Sequence, residues 1–257
     1  MKKLIKNFLN IFNLELINKN HLFVVDKRTL SPFQNTNENY NLYFEGLNKS
    51  ENISTDNSWK QSRFLDLLNL AKNVLDKKIE GHFVEAGCWK GHSAYMISKL
   101  ISKHLIENKG REIVFHIFDS FEGLSEISAE DTNIKKLHKD LIGHIRKQFI
   151  SNEQFVKNKV LKDFDFVKTY KGWIPLKFEE IKNFKFCFVH IDVDLYEPTL
   201  KSLEFFFSRL TQGGIIVCDD YNSLDFNGAK KAWDEFFLEK KVTFNFAPSI
   251  GGSFVIK

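Results

Sequence analysis

The strongest constraint on this chain's fold is an alternation. Beyond Gly81 the sequence switches repeatedly between short apolar runs and stretches with helical spacing. The runs at 82–87, 113–119, 164–170, 186–192 and 214–218 are rich in Phe, Ile and Val, the pattern of strands buried on both faces. Helical stretches at 173–181 and 198–210, and another at 93–106, lie between them. Strands joined by crossover helices pair in parallel and need helices on each side. This predicts a doubly wound α/β fold. Residues 242–247 and 253–257, linked by a tight connection through 248–252, extend it to a mostly parallel seven-stranded sheet ending in an antiparallel hairpin.

The flanking segments read differently. In the first 17 residues Leu4, Ile5, Phe8, Leu9, Ile11, Phe12 and Leu16 recur at helical spacing, predicting an amphipathic helix that docks on its own body or on a second subunit. Lys6, Asn7, Asn10 and Asn13 interrupt the run, so it is not a secretion signal; a membrane-surface helix is the sharper alternative. Residues 21–58 are irregular and Asn-rich, a long structured loop suited to a lid. A helix over 58–78 follows, with Ser58 as its cap. The expected organisation is an N-terminal helix and lid or association segment over 1–57 and one catalytic domain over 58–257. Within the latter, 131–162 is a helical insertion covering the site, with Leu137, Leu141, Ile145 and Phe149 at helical spacing and a restart at Ser151.

Composition removes several functional classes. With 43% hydrophobic residues the chain can bury a full core. Its net charge of +4 comes from 37 basic and 33 acidic side chains scattered without a basic tract, which argues against nucleic acid. Cys88, Cys187 and Cys218 form no even framework, and two sit in apolar runs; they read as reduced residues of a cytoplasmic protein. No run approaches the roughly 18 apolar residues needed to span a bilayer.

In doubly wound sheets ligands bind beyond the carboxyl ends of the strands. Four such ends are unusual here. At the first, Glu85-Ala86-Gly87-Cys88-Trp89-Lys90-Gly91, Gly87 permits a sharp turn and Glu85 offers a carboxylate to a cation or a ribose; the spacing is not that of a dinucleotide fingerprint. The second ends in Asp119-Ser120-Phe121, and a carboxylate there can accept from both hydroxyls of a ribose. The third and fourth end in Asp192-Val193-Asp194 and Asp219-Asp220. Adjacent strands bring these acids together, and their repulsion calls for a cation. An all-oxygen set specifies Mg²⁺ or Mn²⁺. The plain alternative is that one acid caps the helix starting at Pro198, a task Asp194 or Glu197 could fill.

These motifs, in this order, together with Gly172-Trp173 and Asp194-Leu195-Tyr196-Glu197, resemble the macrocin-type O-methyltransferases. That family consists of metal-dependent S-adenosylmethionine enzymes that methylate sugar hydroxyls. The resemblance implies a class I methyltransferase, Rossmann-like fold. It implies that Glu85, Gly87, Cys88 and Trp89 lie along the methionine part of S-adenosyl-L-methionine, with Ser93 also among the cofactor-binding residues. Asp119, Ser120 and Phe121, with Gly172 and Trp173, would complete the cofactor site. Asp192, Asp219 and Asp220 would hold Mg²⁺ or Mn²⁺. The family implies a sugar or small-molecule acceptor in surface-glycan or natural-product biosynthesis; a homo-oligomer, dimer or higher, is expected through the N-terminal segment. Asp192 is the candidate base and Glu197 the second catalytic candidate; His190, inside an apolar run, reads as a core histidine. Two other readings remain: a glycosyltransferase using Asp192 and Asp194 to hold a metal and a nucleotide diphosphate, and a non-catalytic binding module.

Overall fold

The computed structural model describes residues 14–17, 23–26, 37–223, 225–240, 242, 244–246 and 252–257. The first 13 residues of the expected amphipathic helix, and most of the 248–252 connection, lie outside them. The principal sheet is built from β3 (His82–Ala86), β4 (Phe115–Asp119), β5 (Val167–Lys171), β6 (Phe186–Ile191), β7 (Leu210–Cys218), β8 (Phe244–Phe246) and β9 (Ser253–Ile256), in the order β5-β4-β3-β6-β7-β9-β8. Six of these have at least four residues; β8 is a three-residue edge segment. The first five are parallel, and β9 runs antiparallel to both β7 and β8.

Successive residues of each strand face opposite layers. Phe83, Phe188 and Ile215 pack with Leu67, Val74, Ile97 and Ile101 from helices α2 (Ser58–Asp76) and α3 (His92–Glu107). Val84, Val189 and Ile216 pack with Leu203, Phe206 and Trp233 from α7 (Tyr196–Arg209) and α8 (Asn227–Phe237) on the other face. The continuous apolar runs reflect this burial on both sides.

Several local expectations are corrected. Leu14–Ile17 forms β1, paired antiparallel with β2 (Phe23–Asp26), where a helix was expected. The partner strand lies downstream, beyond the reach of a local helical period, and its Val24-Val25 pair favours extended backbone. The 21–58 segment is not one long loop: it contains β2 and also helix α1 (Asn37–Lys49), which buries Tyr40, Tyr43 and Leu47 against Phe64, Leu65, Leu68 and Met96. Its apolar stripe is separated by Asn, which masks the period. Helix α2 is capped by Asn57, whose Oδ1 accepts from the Lys60 N–H at 2.9 Å, so Ser58 is not the cap. Similarly Asn152, not Ser151, caps the short helix α6 (Glu153–Phe155). Residues 173–181 hold only a 3₁₀ turn at Phe178–Ile181, because Pro175 disfavours helical backbone at Ile174. In the insertion, α4 (Thr132–Lys135) and α5 (Lys139–Gln148) precede α6.

The chain moves outward from β3 through β4 to β5 and then returns to lay β6 on β3's other side. Ligand crevices form at such reversals. Backbone pairing continues past the strand ends: Gly87 N–H donates to Phe118, Asp192 N–H to Ala86, Asp219 N–H to Ile191 and Gly172 N–H to Asp119 carbonyl oxygens, at 2.8–2.9 Å. The tips of these five parallel strands therefore stand side by side.

Candidate active site

A cavity of about 760 Å³ opens over these tips. Its floor includes Gly87, Asp119, Asp192 and Asp219; Trp59, Lys60 and Arg63 from the start of α2 form one wall, and Phe149 from the insertion closes another. The Phe149 ring lies 6.0 Å from the rings of both Trp89 and Phe226.

The half beyond β3 and β4 is organised by Asp119. Its Oδ2 accepts from the backbone N–H groups of Cys88 and Trp89, both at 2.8 Å, and its Oδ1 accepts from Phe121 N–H at 2.6 Å. Trp89 and Phe121 are held at φ 47° and 59°, a left-handed conformation costly for bulky residues and retained where the surroundings enforce it. Burial pushes the Asp119 carboxyl above its usual range, and the three N–H donors oppose that shift. The expectation that Asp119 grips two ribose hydroxyls is narrowed: the lone pairs of Oδ2 are already engaged, and Oδ1 has one left.

Cys88, Trp89, Ser93, Ser120, Gly172 and Trp173 also line the cavity. Glu85 does not. It points into the sheet interior, fully buried, with Oε1 2.9 Å from His190 Nδ1. Phe121 is buried beneath the loop and contributes only its N–H. Glu197 is exposed on the first turn of α7, away from the cavity lining. Neither Glu197 nor Asp194 caps that helix: Asp131, from the insertion, accepts from Tyr196 N–H at 2.9 Å, and its other oxygen accepts from Ser128.

The half beyond β6 and β7 is acidic. Atoms of His190, Asp192 and Asp219 converge within 4.8 Å of one another. His190 Nε2 lies 3.6 Å from Asp219 Oδ1, while Asp219 Oδ2 pairs with the Arg63 guanidinium. Asp220, expected as the third ligand, also lines the cavity, and its Oδ2 accepts from Asp194 N–H at 2.9 Å, fixing the turn at which Asp194 has φ 62°. Burial, with Asp220 beside it, pushes the Asp192 carboxyl up to about 7. A half-buried Asp192 and a buried Asp219 at this spacing, with one guanidinium as counter-charge, form a donor set suited to a divalent cation.

Lys60 and His92 are two further groups that the sequence motifs do not mark. Lys60 donates to Thr55 Oγ1 at 2.7 Å, and burial, reinforced by Arg63, lowers its pKa to about 8. The His92 ring lies 4.7 Å from the rings of Tyr43 and Phe64, and its Nε2 donates to the Tyr43 carbonyl at 2.8 Å. A Cβ at Gly46 would sit 2.7 Å from this ring, so α1 packs on the site itself.

Among solved structures, the O-methyltransferase NovP superposes with a TM-score of 0.61 at 20% identity, covering 76% of this chain and 79% of its own. The calicheamicin methyltransferase CalS11 superposes with a TM-score of 0.61 at 18% identity, covering 87% and 94%. The shared fold is that of class I methyltransferases. Two curated relatives are a tetracenomycin rhamnosyl 4'-O-methyltransferase of Streptomyces olivaceus, 27% identical over 164 residues, and demethyldecarbamoylnovobiocin O-methyltransferase of Streptomyces niveus, 22% identical over 163. Each match spans 62% of this chain and 60% of the relative's length. No described helix is long and apolar enough to cross a membrane. The profile of macrocin O-methyltransferase (TylF) matches residues 57–248, a span holding every strand of the principal sheet but β9 and the whole acid cluster, and the chain therefore belongs to that family.

Proposed function

We propose that this chain transfers a methyl group from S-adenosylmethionine to a sugar-borne hydroxyl, with a divalent cation at the acid cluster. The observation that carries this reading is one cavity containing both the Asp119-braced loop and the Asp192–Asp219 pair. When bound, the cofactor supplies an electrophilic methyl group and the cation supplies positive charge that orients and acidifies the hydroxyl.

The chain's own residues provide the rest. Gly87, Cys88 and Ser93 line the cofactor side, and Asp119 offers its remaining Oδ1 lone pair to one ribose hydroxyl. Asp192, at the cavity floor beside the cofactor loop, is the carboxylate placed to accept the acceptor's proton. Trp59 and Phe149 give the acceptor apolar faces and limit water. The relatives' names add support, since the two curated ones are named for a rhamnosyl-tetracenomycin and for demethyldecarbamoylnovobiocin. Surface-glycan or natural-product biosynthesis, action in the cytoplasm, and self-association through the first 57 residues complete the proposal.

The glycosyltransferase reading is less well supported, because Asp194 is turned toward Asp220, not toward a shared cation with Asp192. The test is transfer of a labelled methyl from S-adenosylmethionine to a panel of nucleotide sugars and glycosides, with and without EDTA. Cation-dependent labelling supports the proposal. Hydrolysis or transfer of the sugar itself, without labelling, would overturn it.

A further inference from the structure

The exposed apolar side chains are not scattered over the surface. Nine large ones stand out among the described residues, and six border the cavity mouth: Ile53, Trp59, Leu137, Leu141, Ile150 and Leu176. Ile53 lies between the cavity-lining Asn52 and Thr55, and Trp59 lines the cavity itself. Ile150 follows the lining pair Gln148-Phe149, and Leu176 N–H donates to the carbonyl of Trp173, another lining residue, at 2.8 Å. Leu137 and Leu141 flank the start of α5, the helix that ends in Gln148 and leads into Phe149. The other three lie at the opposite end of the sheet: Ile106 in the last turn of α3, Phe184 just before β6 and Leu238 just past α8. Single exposed apolar residues are ordinary, whereas a group gathered on one rim marks an interaction surface.

On the side of the insertion the same rim is basic. Residues 132–148 carry Lys135, Lys136, Lys139, Arg146 and Lys147 against Asp140 alone, and Asp140 lies 3.3 Å from His138. The four lysines are exposed, and none is paired with an acid among the described residues. The inner face of α5 is already occupied, with Ile142 and Ile145 packed on Leu124, Ile134 and Leu195. Leu137 and Leu141 are surplus to that packing. A second copy of this chain is a poor cover, because a two-fold contact would set the lysines of one copy against those of the other. A small acceptor would sit inside the cavity and leave the outer rim bare. An anionic bilayer matches both features, since its headgroup phosphates attract the lysines and its acyl boundary takes up the leucines.

We infer that the rim formed by α5, the turn before it and the Leu176 loop docks on an anionic lipid surface, with the cavity mouth turned toward the headgroups. The docking surface goes beyond methyl transfer and does not depend on it.

The test is sedimentation of the full chain with vesicles of phosphatidylcholine alone or mixed with phosphatidylglycerol, at low and at high salt. The chain is expected to bind the mixed vesicles at least about tenfold more tightly than phosphatidylcholine, and to be released by salt. Lys139→Glu with Lys147→Glu, and Leu137→Ser with Leu141→Ser, are each expected to weaken binding about tenfold or more. Ile106→Ser with Leu238→Ser, at the far end of the sheet, should bind as wild type does. Melting temperature and S-adenosylhomocysteine affinity report the folding of every variant. Should the leucine variant fail to fold, the exposed lysine pair carries the test. Absence of binding to the mixed vesicles would overturn the inference. So would binding that survives both rim variants, which would assign it to another part of the chain such as the first 13 residues, and so would an equal loss in the Ile106 and Leu238 variant. Rim-dependent self-association in sedimentation velocity, without vesicle binding, would make the occupant a second copy and overturn it too. Methyl transfer is scored separately.

Discussion

Gly87 and Asp192 meet at the point where β3 and β6 end: a Cβ on Gly87 would fall 1.8 Å from the Asp192 carbonyl oxygen. The loop on the cofactor side therefore rests directly on the backbone that aims the candidate base. Close-packed backbone transmits displacement, so a shift of the Gly87 loop would press directly on the Asp192 backbone.

Gly87→Ala tests this contact. Gly87 has φ 86°, which costs a residue with Cβ about 1–2 kcal/mol before any clash is counted. Urea denaturation should show a loss of at least about 2 kcal/mol. Gly143→Ala in α5, where a Cβ meets nothing within 4 Å, should instead be neutral or gain up to about 1 kcal/mol. Equal effects at the two positions would contradict the packing argument.

Asp119 braces the same loop through three N–H groups. Asp119→Ala should weaken S-adenosylhomocysteine binding at least tenfold by calorimetry, because Trp89 and Phe121 lose what holds them at positive φ. Unchanged affinity would remove Asp119 from the site.

Much of this floor is legible in the sequence. Acids and glycines at strand ends are local signals, and parallel pairing puts them side by side. What is not legible depends on partners far apart in the chain. The buried contact of His190 with Glu85 requires their register across β3 and β6, and a histidine in an apolar run otherwise reads as core. Arg63 meets Asp219 across 156 positions. Asp131 caps α7 from an insertion whose own period says only that it is helical. The α1 helix, with Gly46 fitted to His92, hides behind its asparagines.

His92 should contribute to acid sensitivity, as should His116, whose pKa burial also lowers to about 3. Burial, with Lys60 nearby, lowers the His92 pKa to about 3, below the ordinary value of about 6.5. Between those values the unfolded chain takes up a proton that the folded chain refuses, so stability falls as pH drops below about 6.5, by up to about 1.4 kcal/mol per pH unit from this residue. His92→Gln retains an N–H donor for the Tyr43 carbonyl and does not titrate. Its stability should fall less steeply than wild type between pH 6.5 and 4 in urea titrations; parallel curves would assign the sensitivity elsewhere.

The pairing of Arg63 with Asp219 makes a prediction about cation removal. Asp219 is nearly fully buried and Arg63 is partly exposed, so breaking the pair leaves a buried carboxylate without its counter-charge. In cation-free buffer Arg63→Gln should lose about 3 kcal/mol, the low end for a broken buried pair. A divalent ion binding Asp219 restores the missing positive charge, so millimolar Mn²⁺ or Mg²⁺ should raise the melting temperature of Arg63→Gln more than that of wild type. The guanidinium and the ion repel one another across this carboxylate, and the variant should accordingly bind the ion more tightly than wild type by calorimetry. Equal cation stabilisation of the two proteins would show that Asp219 does not hold the ion.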